Sequence, residues 1–451
     1  MEDVRGRELI AFIRQMLDEK NYRGLKGELA DLYPMDIAEI FDDLPHEECV
    51  IIFRLLQKDR AAEVFSYLST QRQKDIVGAI SAGLLNHIFS ELYFDDKIDF
   101  LEEMPANFVK RVVASSPPEE RGLINQFLSF PENSAGSLMT IEYVELKQHM
   151  TVRQALDHIK QVGMDKETVY TCYVLDDTRR LEGLVSLRKL VLSDDNTRLG
   201  DIMTTDVVVV ESGRDQEEVA DLFKKYDFMA IPVVDGENRL IGIITIDDIV
   251  DVIEQENTED FHVMAAISPS DDEYLNTGVV LMSRRRIVWL LVLMISATFT
   301  GSIIGHYEDL VTSVGVLAIF IPMLMNTSGS AGCQSSTLII RGIALGEIEM
   351  RDWLRIFWKE LRVGLLAGSI LVLVNMARML FLGRNDTGVV LTVSITLLTA
   401  VVLAKLIGGL LPIAAKTFRL DPAIMATPLI TTIVDAVSLF VYFAVASALI
   451  L

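Results

Sequence analysis

Asp435 stands inside an apolar run from Pro428 to Phe443, with apolar residues continuing on both sides. A carboxylate at membrane depth is costly unless it faces a polar pathway or a partner, so it marks a functional site by default. The chemistry it suits is attraction and transient binding of a cation; the bland alternative is a protonated aspartate held by a structural hydrogen bond. Lys405 is the one obvious partner that the apolar stretches offer, and Asp435 is expected to be their only carboxylate. A second acidic set runs through residues 247–264, which read as one long helix: Asp247, Asp248, Asp251, Glu254, Glu256, Glu259 and Asp260. Like charges three or four residues apart on a helix cost about 0.2–0.5 kcal/mol per pair. Few bases stand nearby to offset them, so divalent cations are a natural compensator, and oxygen ligands suit such ions. The alternative is a solvated acidic helix.

A third motif lies between Pro322 and Arg341, where Asn326, Ser328, Gly329, Gly332 and Gln334 form a small, polar, glycine-punctuated run at membrane depth. Such a run lines a wet cavity or packs helices closely through its small residues, and both readings are compatible. No nucleophile–base pair, phosphate loop or metal-hydrolase motif is present, so an enzyme is not expected.

The elements that must position these residues divide unequally. Residues 1–280 carry 55 Asp and Glu against 28 Lys and Arg, a net of −27, whereas residues 281–451 carry 9 against 13. So acidic a portion argues against nucleic acid as a partner and for cations as ligands. Cys49, Cys172 and Cys333 are widely spaced and odd in number, which gives neither a disulfide framework nor a zinc pattern. The polar N-terminus has no signal-peptide core, so the acidic part is expected in the cytosol.

Hydropathy predicts five spans, near 287–305, 311–325 with a polar extension, 363–381, 389–415 and 428–451, each close to the length a bilayer requires. Arg284–Arg286, then Arg341, Arg351, Arg355, Lys359 and Arg362, then Lys416 and Arg419 flank one side; Arg378, Arg384 and Asp386 flank the other. The positive-inside rule then puts the N-terminus in the cytoplasm and the C-terminus outside, in a multi-pass cell-membrane protein.

Residues 136–250 contain a duplication. Met139-Thr140 and Met203-Thr204 each lead to an amphipathic helix, an apolar strand (170–175; 230–234), a polar turn, a Gly-led strand (Gly183 to Ser186; Gly242 to Thr245) and another helix. This resembles a tandem pair of CBS domains. In that family a Ser or Thr and an Asp at the end of the motif hold the ribose of an adenine nucleotide; Thr245 and Asp248 match, while the first copy has Ser186 but Lys189 in place of the acid. The resemblance therefore leaves one nucleotide site and a purely structural dimerising pair both open. Ahead of it, residues 1–135 read as short helices with prolines at their junctions.

The whole order resembles the MgtE family of magnesium channels: an all-α N-terminal helical domain (1–135), an α+β tandem CBS pair (136–200 and 201–250), a long connector or plug helix (251–283) and a five-helix all-α transmembrane domain (284–451). The resemblance implies a homodimer with its pore on the two-fold axis. Asp435 would bind Mg²⁺ there, in a path lined by Ser328, Gly329, Gly332, Gln334, Thr427 and Thr431. It also implies closure by cytosolic Mg²⁺ bridging the N-domain acids, Asp95 and Asp96, to Asp247, Asp248 and the connector. Two departures stand out: Gly329-Ser330-Ala331-Gly332-Cys333-Gln334 replaces a run that in the family carries asparagines, and Thr427 rather than Asn precedes Pro428. Two other classes remain. An ion-coupled secondary transporter of divalents such as Mg²⁺ and Co²⁺ is disfavoured by the absence of a visible inverted repeat. A membrane-anchored nucleotide sensor would have no use for Asp435.

Overall fold

The computed structural model describes residues 2–270, 274, 277–381, 387–418, 420–425 and 427–450. Arg384, Asp386 and Arg419, which entered the topology reading, lie outside the described residues, as does the side chain of Thr427. The chain forms two compact units, residues 1–253 and 254–451.

In the first unit, short helices run from Glu2–Asp18 to Pro118–Phe127. Pro34 and Pro118 occupy first-turn positions, and Pro45, Pro105 and Pro117 are N-caps, places where a missing N–H costs nothing. Their apolar faces meet in a chain of edge-to-face rings, Phe41–Phe53–Phe65–Phe100–Phe108, with centroids 5.2–6.4 Å apart. That core fixes the helix Phe94–Glu102, which carries Asp95 and Asp96 in its first turn.

The duplicated segment forms two like sheets. β1 (Val144–Leu146), β2 (Thr171–Leu175) and β3 (Leu181–Ser186) make one; β4 (Val210–Glu211), β5 (Ala230–Val234) and β6 (Leu240–Thr245) make the other. In each, the first pair is parallel and the second antiparallel. The lead-in of each copy is hydrogen-bonded to the other copy's sheet: Thr140 exchanges both backbone bonds with Ile243, and Thr204 both with Leu184. This explains the glycines at the third positions of β3 and β6. A Cβ on Gly183 would lie 2.7 Å from the Thr204 carbonyl oxygen, and one on Gly242 2.8 Å from that of Thr140. From β6 the chain enters the helix Ile246–Met264, whose first turn holds Asp247 and Asp248 where the helix dipole favours anions.

Among its described residues the second unit contains five helices long and apolar enough to cross a membrane. They are Val279–His306, Val316–Ala344, Trp353–Phe381, Thr387–Thr417 and Thr427–Ile450, called here the first to fifth span helices. The second departs from the expected apolar segment: it continues as regular helix through Pro322 and the whole small-residue run to Ala344. The run therefore needs no irregular backbone. Gly332 serves packing on one face, where it approaches the fourth span so closely that a Cβ on Gly408 would overlap the Gly332 carbonyl. The third helix begins ten residues before the expected 363, and this overturns the expectation that Asp435 is the only carboxylate in the spans: Glu360 lies within that helix and is buried.

Candidate functional site: a cation path and its acidic surroundings

Asp435 sits in the fifth span helix against the glycine-punctuated face of the second. Met325, Asn326, Gly329, Ser330, Cys333 and Gln334, spaced at three and four residues, present one face of the second helix; with Thr431 and Asp435 they line a cavity of about 340 Å³. Thr431, one turn before Asp435, turns its hydroxyl onto the Pro428 carbonyl at 2.9 Å. Asp435 Oδ1 is buried and has no hydrogen-bond partner among the described residues. An orphaned carboxylate oxygen on a cavity that also presents Asn326, Ser330 and Gln334 is the arrangement expected of a site that completes its coordination with something other than protein. Lys405 is not its partner: its ammonium donates instead to Ser335 Oγ at 3.3 Å and to the Ala331 carbonyl at 3.4 Å.

Of the six residues expected to line the path, Gly329, Gln334 and Thr431 line this cavity with Asp435. Ser328 does not: its hydroxyl is buried, donates to the Leu324 carbonyl at 2.7 Å and pairs with Ser438 Oγ at 2.9 Å. Gly332 instead faces Ile430, Val434 and Ala404. Helical phase explains both, because positions 328 and 332 lie on a neighbouring face from 326, 330 and 333. Asn326, Ser330 and Cys333 were within reach of the same phase argument once the run was recognised as helix.

In the first unit, acids from four elements converge. Burial, with Asp248, Asp96 and Glu167 facing it, holds Asp95 well above the usual carboxylate range. Burial and then Asp248, Asp247 and Glu142 push Asp96 to about 6; burial, then Asp247, Asp248 and Asp96, push Glu167 to about 8. Asp248 rises to about 6 through burial, although the Thr245 hydroxyl donates to its Oδ2 at 2.6 Å. Glu167 Oε2 is buried without a hydrogen-bond partner among the described residues. Glu142 and Glu167 escaped sequence reading because each is an isolated acid on its own loop, brought beside the other by the Glu167 N–H to Glu142 carbonyl bond at 2.9 Å.

In the second unit, burial, then Asp421, Glu256 and Glu259, push Asp260 to about 6. Asp421 was also missed; it follows the fourth span in a stretch that reads as basic, and its side chain accepts from the Ala423 N–H at 2.8 Å. Asp251 and Glu254 are exposed. Among the described residues no three His, Cys, Asp or Glu side chains come close enough together to chelate a bare ion. Clustered but uncollapsed carboxylates suit an ion that keeps much of its water, as Mg²⁺ does.

The comparisons with known proteins agree with this layout from end to end. The family profile described as divalent cation transporter, MgtE, matches residues 321–445; the MgtE intracellular N domain matches 32–133, and the CBS domain matches 135–194 and 199–255. The magnesium transporter MgtE of Thermus thermophilus is 37% identical over 446 residues, 98% of each chain. The chain belongs to the MgtE family. The MgtE of Bacillus subtilis is 32% identical over 444 residues, again 98% of each chain. A crystal structure of the cytosolic domain of the Mg²⁺ channel MgtE in complex with ATP matches with TM-score 0.52 and 37% identity, covering 54% of this chain and 99% of that one. As an MgtE protein this is a multi-pass membrane transporter and not an enzyme. The helical N-terminal region, the CBS pair and the apolar helices are the parts that the family order requires.

Proposed function

We propose that this MgtE protein is a magnesium channel of the cell membrane, conducting Mg²⁺ past Asp435 and closed by cytosolic Mg²⁺. The observation that carries the reading is the buried Oδ1 of Asp435, without a hydrogen-bond partner among the described residues, on a cavity of about 340 Å³ lined by Asn326, Ser330 and Gln334. A homodimer with the two Asp435 carboxylates flanking one hydrated ion gives that ion charge balance, and the ion cancels the repulsion between them. The N-terminus is cytoplasmic and the C-terminus external, with the basic flanks on the cytoplasmic side.

Closure follows from the acids. Asp95, Asp96, Glu167 and Asp248 repel one another within the first unit when ionised, and Glu256, Glu259, Asp260 and Asp421 do so within the second. Mg²⁺ bound among them, with Asp247, Asp251 and Glu254 adding charge, favours the compact closed state by differential affinity. An adenine nucleotide is a proposed ligand of the CBS pair, a reading supported by the related cytosolic domain having been crystallised in complex with ATP. Thr245 and Asp248 take the ribose, so calorimetry should show one site per chain, lost in Asp248→Ala and kept in Lys189→Ala. Single-channel recording under ion substitution tests the main reading. Unitary Mg²⁺ currents support a channel, whereas uptake without currents, coupled to a proton or sodium gradient, would show a carrier.

A further inference from the structure

The membrane unit holds a buried charged cluster that the cation path does not use. Glu360 on the third span helix is 8% exposed, Lys405 on the fourth 7%, and Ser335 on the second 1%. They form a chain of donors: Lys405 Nζ donates to Ser335 Oγ at 3.3 Å, and Ser335 Oγ donates to Glu360 Oε2 at 2.6 Å. Lys405 also donates to the Ala331 carbonyl at 3.4 Å, so one ammonium holds the second helix at two points a turn apart. The fourth helix is shaped for this. A Cβ on Gly409, one turn beyond Lys405, would lie 2.9 Å from Glu360 Cγ, so glycine there leaves the slot that the glutamate fills.

Ser335 directly follows Gln334, which lines the Asp435 cavity, but Ser335 is buried against the third and fourth helices instead. The cluster thus backs the same stretch of helix that lines the path. A lone ammonium there, in a low-dielectric interior, would repel a dication in the cavity. A lone carboxylate would add to the attraction of Asp435.

We propose that Glu360, Ser335 and Lys405 are a charge-compensating positioning network for the cation path: Lys405 fixes the second helix, Glu360 cancels its charge, and Asp435 is left as the net charge the ion meets. The proposal rests on reading the Asp435 cavity as that path. It predicts an effect set by the sign of the uncompensated charge, which a role in packing alone does not.

The test is Mg²⁺ influx into liposomes containing the full-length protein, measured across Mg²⁺ concentrations and normalised to folded protein. Glu360→Gln leaves a net positive charge and should raise the half-saturating Mg²⁺ concentration by about threefold or more. Lys405→Met leaves a net negative charge and should lower it. The double variant Glu360→Gln/Lys405→Met should return to within about twofold of wild type, because no net charge remains. Ser335→Ala keeps both charges and should shift half-saturation little; should the single charge removals misfold, the double variant, which buries no lone charge, decides, and a shift there of more than about threefold overturns the network. Shifts in the same direction for both single variants, failure of the double variant to cancel them, or a Ser335→Ala shift as large as that of Glu360→Gln would each overturn the network. Asp435→Asn measured alongside separates the two claims. Wild-type uptake there would remove the cation-path reading itself, while lost uptake without the sign pattern removes only the network.

Discussion

Gly329 faces the carboxylate of Asp435: a Cβ at position 329 would stand 3.5 Å from Asp435 Oδ1 and 3.4 Å from Thr431 Cγ2. These are ordinary contact distances, so the helices tolerate a methyl group there, but the carboxylate would lose its open side. Gly329→Ala is therefore expected to fold normally and to reduce Mg²⁺ uptake several-fold, by about three- to tenfold, while Asp435→Ala abolishes it. Uptake by membranes of matched protein abundance measures both. Wild-type rates in Asp435→Ala would remove it as the pore ligand.

The raised carboxylates of the first unit make its stability depend on pH. A carboxylate whose pKa is higher folded than unfolded favours folding when protonated. Its contribution is complete below the ordinary carboxylate range and is lost as pH rises through the folded value. Asp96 and Asp248 titrate near 6 and Glu167 near 8. Without Mg²⁺ the melting temperature of residues 1–270 should fall between pH 5 and pH 8.5, by on the order of 5 °C. Millimolar Mg²⁺ should remove most of that loss, because it stabilises the ionised form by binding the folded state. Equal protection by monovalent salt of matched ionic strength would mean screening and no site.

The connector acids should set the Mg²⁺ concentration at which the channel closes. Replacing Glu259 and Asp260 by Gln and Asn removes both repulsion and ligands, and the two effects oppose each other. Ligand loss should dominate, because neutral amides bind Mg²⁺ poorly. The double variant, and separately Asp421→Asn, should stay open at Mg²⁺ concentrations that close wild type, shifting the closing midpoint upward by about threefold or more. Recording open probability against cytosolic Mg²⁺ decides this; an unchanged or lower midpoint removes the connector as sensor.

Gly408 tests the packing half of the small-residue run. A Cβ there would overlap the Gly332 carbonyl, a backbone atom that cannot rotate away. Gly408→Ala should therefore cost about 1–3 kcal/mol, seen as a lower melting temperature in detergent and reduced folded yield. Ser330→Ala, on the cavity face, should leave stability unchanged.

Much of this layout was legible because local signals were strong. The reading of residues 247–264 as one helix differs by a single residue from Ile246–Met264, whereas the connector helix expected over 251–283 stops at Met264, and residues 279–283 belong to the first span helix. The strand at 230–234 was read as it stands, from five apolar residues bounded by turn chemistry. Glu360 was missed because Lys359, Glu360 and Arg362 depress the hydropathy of their window, although the helix runs through them from Trp353. The convergence of Asp95, Asp248 and Glu167 was not legible from the residues at all. Each stands on a different element, and only tertiary packing brings like charges together against their repulsion. The second-span run was ambiguous between cavity and packing because it does both, on two faces of one helix.

The crossed lead-ins of the duplicated segment decide how this part of the chain can fold. Thr140 completes the sheet that contains Ile243, and Thr204 the one that contains Leu184, so neither repeat owns all the backbone of its own sheet. Half of the pair made alone would expose an unclosed edge with open N–H and C=O groups, a template for intermolecular pairing. During synthesis the first repeat must wait for about a hundred further residues before its opening segment finds its mate, a slow, non-local closure. The two repeats are thus a single cooperative body, and a truncation between them should yield aggregates and not a smaller stable domain.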